Sequence, residues 1–416
     1  MLEMILMSFF MVVFLDWLLI SNFLVLMLLY SIFLMWDDKF YNISLVMILL
    51  SIWLILMMIL SVGQKEKNGM LIFLFMFMFL SLQICFSAHS LLYFYIGFEM
   101  SVIPILLIIF GWGYQPDRIE AGLYMVCYTV LFSLPFLVGI YLLNQNFLFS
   151  KSFIVVLTFL SGFLVKLPMF GVHLWLPRAH VEAPVYGSMI LAGVMLKLGG
   201  YGIMKISLFM GDWLSFSCDC LVIFSILGGI YLSILCFVQS DMKLLIAYSS
   251  IVHMSLVISG LLTFKESGLI GAMYLMVGHG LCSSGLFCVL GFSYDRSHSR
   301  SMYINKGFMT VIPSCSLWWF MFCSSNLSFP PCLNLPGEIF LFLSVISWCI
   351  EMFLFMAVLN FLSSMYSIYL YSFSQHGVPS NFFSFKMFNL KESFVLFLHW
   401  VPLNLLIMDL SIFSIC

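Results

Sequence analysis

The chain has 416 residues, a formal net charge of -2, 63% hydrophobic and 8% charged residues, and a mean hydropathy of +1.15. A water-soluble protein of this composition would expose most of its apolar surface, so a soluble class is excluded. The near-neutral charge gives no basic face for nucleic acid. The composition therefore predicts a membrane protein whose surroundings are lipids.

Uncharged apolar runs recur along the whole chain at about 20 residues each, the length that an α-helix needs to cross the hydrocarbon core. Strands of a membrane β-barrel would instead be roughly ten residues long and alternate in polarity. The predicted fold class is an all-α, polytopic membrane protein of thirteen or fourteen transmembrane helices. In chain order, the runs lie at residues 4–35, 43–62, 69–87, 90–112, 120–143, 152–180, 184–208, 216–239, 243–263, 267–293, 304–348, 351–373 and 392–413.

Two runs, 152–180 and 304–348, are too long for one crossing and contain prolines in their middle. The prolines are Pro168 in the first run, and Pro330, Pro331 and Pro336 in the second. Proline removes a backbone donor and clashes with the preceding turn. Non-helical backbone at membrane depth is tolerated only where protein or water satisfies it. Both runs are therefore predicted to be broken helices.

The chain also shows a repeat of its hydropathy pattern. Residues 69–208 and 216–373 each divide into five runs, and the broken run is the fourth in both. Interrupted segments at matching positions in two halves point to a transport site near the midplane, and five spans per unit make the two units inverted. The domain prediction is N-terminal transmembrane helices at 1–68, these two inverted five-helix repeats, and a C-terminal transmembrane helix at 392–413.

Six titratable residues fall near the middle of the runs or beside the breaks. A charge near the bilayer centre costs at least a few kcal/mol, so it usually faces protein or water and marks an ion or proton path. Burial and a nearby opposite charge change the proton affinity of a group in opposite directions, so moving a partner can load or release a proton. We therefore predict a proton-translocation site. Its residues are Glu99, Lys166, Lys197, His253, His279 and Glu338.

Plainer interpretations of these residues stay open at this point. The acidic and lysine members could form static ion pairs that only fix helix packing, and the histidines could only bind neighbouring carbonyls. A membrane scaffold without transport would then tolerate their replacement. Lys205, Asp241 and Lys243 fall at the ends of runs, where we expect the long side chains to extend toward the membrane surface.

Several motifs that would indicate a cofactor are missing from the sequence. It contains no glycine-rich nucleotide loop after a strand, no Walker loop and no cysteine cluster for iron and sulfur. We therefore predict no cofactor on this chain. Any redox chemistry would belong to other subunits.

A series of motifs resembles one known family in the same order. They are FYIGFE at 94–99, QPDR at 115–118, KLP at 166–168, PRAHVEAP at 177–184, KLGG at 197–200, LLIAYSSIVH at 244–253, YDRSHSR at 294–300 and PPCLNLPGE at 330–338. Over about residues 90–375, the chain resembles the chain 4 family of NADH-ubiquinone oxidoreductase, respiratory complex I. Its phenylalanine, leucine and methionine bias resembles the mitochondrially encoded animal members.

The resemblance implies an antiporter-like, proton-pumping, multi-pass subunit of the mitochondrial inner membrane. It assigns a glutamate–lysine pair to Glu99 and Lys166, a central lysine to Lys197 and a terminal carboxylate to Glu338, with the two histidines linking the halves through water. NADH, FMN, iron–sulfur clusters and ubiquinone are expected on other subunits. The implied partners are other membrane-arm subunits, especially neighbouring antiporter-like chains. The alternative is a free-standing Mrp-type cation/proton antiporter subunit.

The amino-terminal part departs from the family pattern. The family has four spans before the one that carries the Glu99 equivalent, whereas only three runs precede it here. The run at 4–35 is therefore either one long helix or two short ones that are interrupted at Asp16.

Overall fold

A computed structural model describes residues 2–12, 16–37, 43–144, 153–214, 218–379 and 386–410. Within these ranges the regular structure is helical, apart from one isolated bridge between Asp241 and Ser301. Eleven segments are long and apolar enough to cross a membrane, and two further crossings are broken into shorter helices. The prediction of an all-α, polytopic membrane protein is confirmed.

The first run is two helices. They are α1 (Leu2–Val12) and α2 (Trp17–Asp37), and the hydroxyl of Tyr30 on α2 contacts the Glu3 carboxylate on α1. Asp16 precedes α2, and its carbonyl accepts the Ile20 amide at 3.1 Å. The structure thus supplies the fourth amino-terminal helix that hydropathy alone did not separate.

The next eight helices hold the first predicted break. They are α3 (Ile43–Ser61), α4 (Gly69–Ser87), α5 (Leu91–Met100), α6 (Val102–Trp112), α7 (Arg118–Asn144), α8 (Phe153–Lys166), α9 (Trp175–Glu182) and α10 (Val185–Ile190). The backbone leaves the helical path between α8 and α9, around Pro168. The regular helix is also interrupted for one residue at Ser101, between α5 and α6.

A π-helical stretch, Leu191–Met195, joins α10 to α11 (Leu196–Leu214). The second part of the chain then continues with α12 (Asp219–Val238), α13 (Met242–Leu262), α14 (Glu266–Ser297), α15 (Phe308–Val311), α16 (Pro313–Asn326), α17 (Asn334–Trp348), α18 (Phe353–Gln375) and α19 (Leu390–Leu405).

The second break differs in detail from its prediction. The helical path is interrupted between α16 and α17, where the Pro330–Pro331 peptide is cis. Pro336 instead lies within the first turn of α17, where its missing amide hydrogen leaves no helical bond unmade. The predicted run began at residue 304, but α15 begins only at Phe308. Residues 411–413 of the last predicted run lie outside the described residues.

The core of the molecule follows α13 and α14, which are buried along almost their whole length. Peripheral helices such as α2 and α19 expose most of their apolar side chains, as expected for surfaces that meet lipid or protein. Lys391 at the start of α19 donates to the Val62 carbonyl after α3, and Arg300 after α14 donates to the Val181 carbonyl on α9. Arg296 at the end of α14 also pairs with Glu392 at the start of α19, so the ends of α3, α9 and α14 lie at one membrane face, which we call face A.

Candidate functional site

Four of the predicted residues form a continuous line of side chains, the central row, in the buried core. Lys197 Nζ lies 3.1 Å from His279 Nδ1. The His279 and His253 rings follow, with their centroids 5.4 Å apart. His253 Nδ1 lies 3.5 Å from Glu338 Oε1. The central row thus runs from α11 through α14 and α13 to α17.

Glycines explain why α14 approaches its neighbours so closely at His279. Gly278 and Gly280 flank this histidine, and a Cβ at Gly278 would collide with the Asn334 side chain at the start of α17. A Cβ at Gly280 would lie 3.0 Å from the Gly193 carbonyl in the π-helical stretch. Without side chains at these two positions, the helix can carry His279 into contact with Lys197.

Lys197 is fully buried and is also held by its own helix. Its amine donates to the Ala192 carbonyl, five residues earlier in the π-helical stretch. A π-helical turn displaces carbonyls from the regular α-helical bonding pattern, and such turns are frequent at functional sites. The amine is therefore shared between this backbone carbonyl and the His279 ring.

The far end of the central row has two further polar contacts that the sequence did not indicate. Ser328 Oγ donates to Glu338 Oε1 at 2.6 Å, and the Tyr366 hydroxyl lies 3.3 Å from His253 Nε2. Ser328 lies in the break before α17 with a φ of 61°. Its place just before the proline pair was the only available signal. Tyr366 lies on α18 among other aromatic residues, without a distinguishing pattern.

Lys166 and Glu99, the predicted pair, form no direct ion pair within the described ranges. Lys166 Nζ instead donates to the Phe98 carbonyl at 2.5 Å and lies 3.2 Å from the centroid of the Phe98 ring. The neighbouring Glu99 Oε1 is buried and accepts no hydrogen bond from the described protein. The structure therefore places the amine beside the backbone of Glu99's helix rather than on its carboxylate.

A small cavity lies between Lys166 and the helix that carries Lys197. It has a volume of about 10 Å³, and its lining includes Lys166, Thr129, Trp175, Leu191 and Met195. This volume is close to the minimum that one water molecule requires. The cavity therefore brings a water-sized space from the Lys166 amine to the π-helical stretch before Lys197.

Two of the lysines at the ends of runs do not extend into solvent as predicted. Lys243 is 3% exposed, and its amine donates to the carbonyls of Val181 and Ala183 at 3.1 and 2.6 Å. The Lys205 amine donates to the Ala88 carbonyl. Hydropathy missed these contacts because it averages the polarity of neighbouring residues along the chain. It does not indicate which residues are buried by other helices. No group of three His, Cys, Asp or Glu suited to a metal occurs among the described residues.

Comparison with known proteins finds matches over most of the chain. The family model described as NADH:quinone oxidoreductase/Mrp antiporter, TM matches residues 88–364. NADH-ubiquinone oxidoreductase chain 4 of Ceratitis capitata is 46% identical over 386 residues, which are 87% of this chain and 84% of the relative. The protein of the same name from Aedes aegypti is 51% identical over 328 residues, which are 76% and 73%.

Solved structures share the fold at lower identity. A chain of respiratory complex I from Thermus thermophilus with bound NADH superimposes with a TM-score of 0.87 at 18% identity, covering 99% of this chain and 97% of that one. A chain of the Mrp complex from Dietzia sp. DQ12-45-1b gives a TM-score of 0.81 at 14% identity, covering 89% and 82%. At such identities these two matches establish the fold alone.

Proposed function

The chain belongs to the NADH-ubiquinone oxidoreductase chain 4 family, and on this premise we propose that it is a proton-translocating membrane-arm subunit of NADH:ubiquinone oxidoreductase, respiratory complex I. The chain itself transfers no electrons. It uses energy released by redox reactions in other subunits to move protons across the mitochondrial inner membrane.

The central row is the observation that carries this proposal. A protonated lysine amine in contact with an imidazole nitrogen can pass its proton along that contact, and the imidazole releases a proton from its other nitrogen. The same exchange between the two histidines would bring the proton to the Glu338 carboxylate. Each step breaks one N–H bond and forms one N–H or O–H bond, so the row needs no other reactant.

The energetics suit a switch. A buried charge that loses its partner is destabilised by roughly 3–5 kcal/mol. Moving one charge against the membrane potential requires about 2.3 kcal/mol per 100 mV. The two quantities are similar, so a change in the contacts of one buried group can drive or stop the transfer of one proton.

Lys166 and Glu99 belong to the same proposed site as a control pair. In the described arrangement Lys166 is held by the Phe98 carbonyl while the Glu99 carboxylate lacks a protein donor. A shift of the amine from the carbonyl of one residue to the carboxylate of the next would form the ion pair. The field at Lys197 would change with it, because the charge on Lys166 acts in a medium of low polarity.

The proposal extends to organisation and surroundings. Residues 69–208 and 216–373 are two inverted five-helix units, and the breaks around Pro168 and around Pro330 and Pro331 supply the non-helical backbone of the transport site. The chain carries no cofactor, and NADH, FMN, iron–sulfur clusters and ubiquinone bind to other subunits. Its partners are other antiporter-like subunits of the membrane arm, together with lipid.

The alternative, a free-standing Mrp-type cation/proton antiporter subunit, shares the fold. The relatives at 46% and 51% identity favour the complex I assignment because they bear that name over most of both chains. Purification from native membranes separates the two. A complex I subunit co-migrates with flavin- and iron–sulfur-containing chains, and an antiporter subunit does not.

The direct test replaces the central lysine in the assembled complex. Lys197→Met keeps most of the side-chain volume but removes the charge, so NADH-driven proton uptake should fall at least tenfold. Lys265→Met is the matched control, because Lys265 lies near the surface and donates to the Ser347 hydroxyl. Proton uptake by Lys197→Met at the rate of the control would indicate a scaffold without transport.

A further inference from the structure

A cavity outside the central row opens at face A. We call it the face A cavity, and its volume is about 220 Å³. Its walls come from residues 61–66 after α3, from Tyr114 after α6, from the start of α10 and from the end of α14. A single water molecule requires only about 10–15 Å³ by the same measure. The face A cavity is therefore large enough for an ion together with several water molecules.

Two carboxylates, those of Glu66 and Asp295, line the face A cavity from different segments. Both residues are exposed, so ions can reach them from water. Partial burial raises the pKa of Glu66, and the nearby Asp295 carboxylate raises it further. The two carboxylates therefore repel each other when both are charged, and a cation bound beside them would remove this repulsion.

The basic residues near this cavity do not pair with the two carboxylates. Arg296 follows Asp295 in the chain, but its Nη2 pairs with Glu392 at 2.5 Å, and the guanidinium also donates to three backbone carbonyls. Lys65 lines the cavity but forms no ion pair within the described ranges. In the part of the chain that the structure describes, Glu66 and Asp295 are thus left without a paired cation.

A buried tyrosine hydroxyl lies on the inner side of the same cavity. Tyr186 is 3% exposed, and its hydroxyl has no hydrogen-bond partner in the described protein. The groups that interact electrostatically with this hydroxyl are Glu66 and Tyr114, which also line the cavity. Buried polar atoms without protein partners are rare and call for an unseen water or ion. The Tyr186 hydroxyl therefore indicates a polar occupant of the face A cavity.

The chemistry of these groups selects the kind of occupant. Two carboxylates repel an anion and match the charge of a divalent cation. Calcium takes six to eight oxygen ligands, whereas Mg²⁺ keeps several of its waters and needs only one or two carboxylates. Waters bound to a cation donate hydrogen bonds, and a tyrosine oxygen can accept one. The groups present therefore suit a hydrated Mg²⁺ ion.

We propose that Glu66, Asp295 and the Tyr186 hydroxyl hold a hydrated Mg²⁺ ion in the face A cavity. The two carboxylates neutralise the ion, and the hydroxyl accepts a hydrogen bond from one of its waters. The ion links the turn after α3 to the end of α14, the helix that carries His279. This inference goes beyond the proposed function, because its test measures ion binding and not proton transport.

The test titrates the assembled complex, freed of divalent cations, with Mn²⁺ as the probe. Free Mn²⁺ gives an electron paramagnetic resonance signal that is lost on binding, and added Mg²⁺ should restore it. Glu66→Gln should weaken Mn²⁺ binding at this site at least about tenfold, so this variant should bind one Mn²⁺ fewer than the parent. Glu266→Gln is the matched control, because Glu266 is exposed at the opposite end of α14. Equal titrations of the two variants overturn the site.

Further variants test the site independently. Should Glu66→Gln not assemble, Asp295→Asn is the second test. Loss of the same Mn²⁺ supports the site, and an unchanged titration overturns it. Lys65→Gln removes a positive charge from the cavity wall, so Mn²⁺ affinity should rise about two- to threefold, and a fall would indicate an anion site instead. Displacement of Mn²⁺ by Ca²⁺ more readily than by Mg²⁺ would overturn the assignment of a hydrated Mg²⁺ ion.

Discussion

The surroundings of Lys197 and of Lys166 differ, although both lysines are buried at similar depth. Lys197 meets histidines and glycines, and its contacts continue to Glu338. Lys166 lies against phenylalanine rings, with Phe98 and Phe163 only 5.4 Å apart between centroids, and its amine ends on a backbone carbonyl. Small residues permit a chain of polar side chains, whereas large rings isolate a single charge. Depth alone therefore does not define a transport path.

The central row can be broken at its middle. His279→Phe preserves volume but removes the only ring that contacts both Lys197 and His253 in the described arrangement, so proton uptake should fall at least a hundredfold, about 2.7 kcal/mol in barrier. Rates of NADH-driven uptake in sealed membranes would measure this. His376→Phe, at an exposed histidine, serves as control. Retention of a tenth or more of the parent rate would mean that protons bypass His279.

The packing that separates the two lysines can be broken at Gly199. A Cβ there would lie 2.8 Å from both the Leu167 amide nitrogen and the Phe163 carbonyl, which are backbone atoms that cannot move aside. Gly199→Ala should destabilise the fold by about 1–3 kcal/mol. A lower melting temperature of the assembled complex would report it. Gly63→Ala, where nothing lies within 4 Å, should melt as the parent does. Equal melting of both variants would contradict the close contact.

The region around Lys166 can be tested at the Glu99 carboxylate. If Lys166 must leave the Phe98 carbonyl for Glu99 during turnover, Glu99→Gln removes the charge that attracts it, and uptake should fall about tenfold, near 1.4 kcal/mol. Glu120→Gln provides the comparison, because Glu120 forms an exposed ion pair with Arg178. If Glu99→Gln is as active as Glu120→Gln, the result would show that Lys166 stays on the Phe98 carbonyl throughout turnover.

The smallest expected effect sharpens the description of the central row. Tyr366→Phe removes a hydroxyl 3.3 Å from His253 Nε2. A neutral hydrogen bond contributes about 0.5–1.5 kcal/mol, so uptake should fall by roughly two- to tenfold. Tyr369→Phe on the same helix is the control, since Tyr369 packs against Phe237 and Phe373. Identical rates for both variants would exclude a role for the Tyr366 hydroxyl.

Much of the fold could be predicted from sequence because lipid imposes length and polarity on each helix separately. Pro168, Pro330 and Pro331 indicated the breaks because the effect of a proline on its helix is also local. Pro336 did not, since a proline in a first turn is compatible with a helix. The gap between α1 and α2 was ambiguous because both flanking sequences are equally apolar.

The site was less accessible to prediction because it depends on which side chains meet. Depth along a run placed His253 and His279 in one layer, but not their contact with each other. The Lys166 amine could bind either the Phe98 carbonyl or the Glu99 carboxylate, which belong to adjacent residues. The sequence does not indicate which of the two it binds. Lys243 lies at the end of a run, so the sequence alone did not predict its burial against the end of α9.

The π-helical stretch Leu191–Met195 has a consequence for the angular register of α11. Its wider turn holds about one residue more than an α-helical turn, and each α-helical residue turns the chain by about 100°. If the stretch tightened to α geometry, everything after it would rotate by that angle, and Lys197 would swing away from His279 without any unfolding. Deleting Gly193 removes the extra residue, and the four residues that remain in α geometry turn the chain by nearly the same angle as the π-helical five. Lys197 should therefore stay on His279 in a structure of that variant, and a Lys197 that has swung away would refute the idea. The geometry of the π-helical stretch thus sets the direction in which the Lys197 amine points.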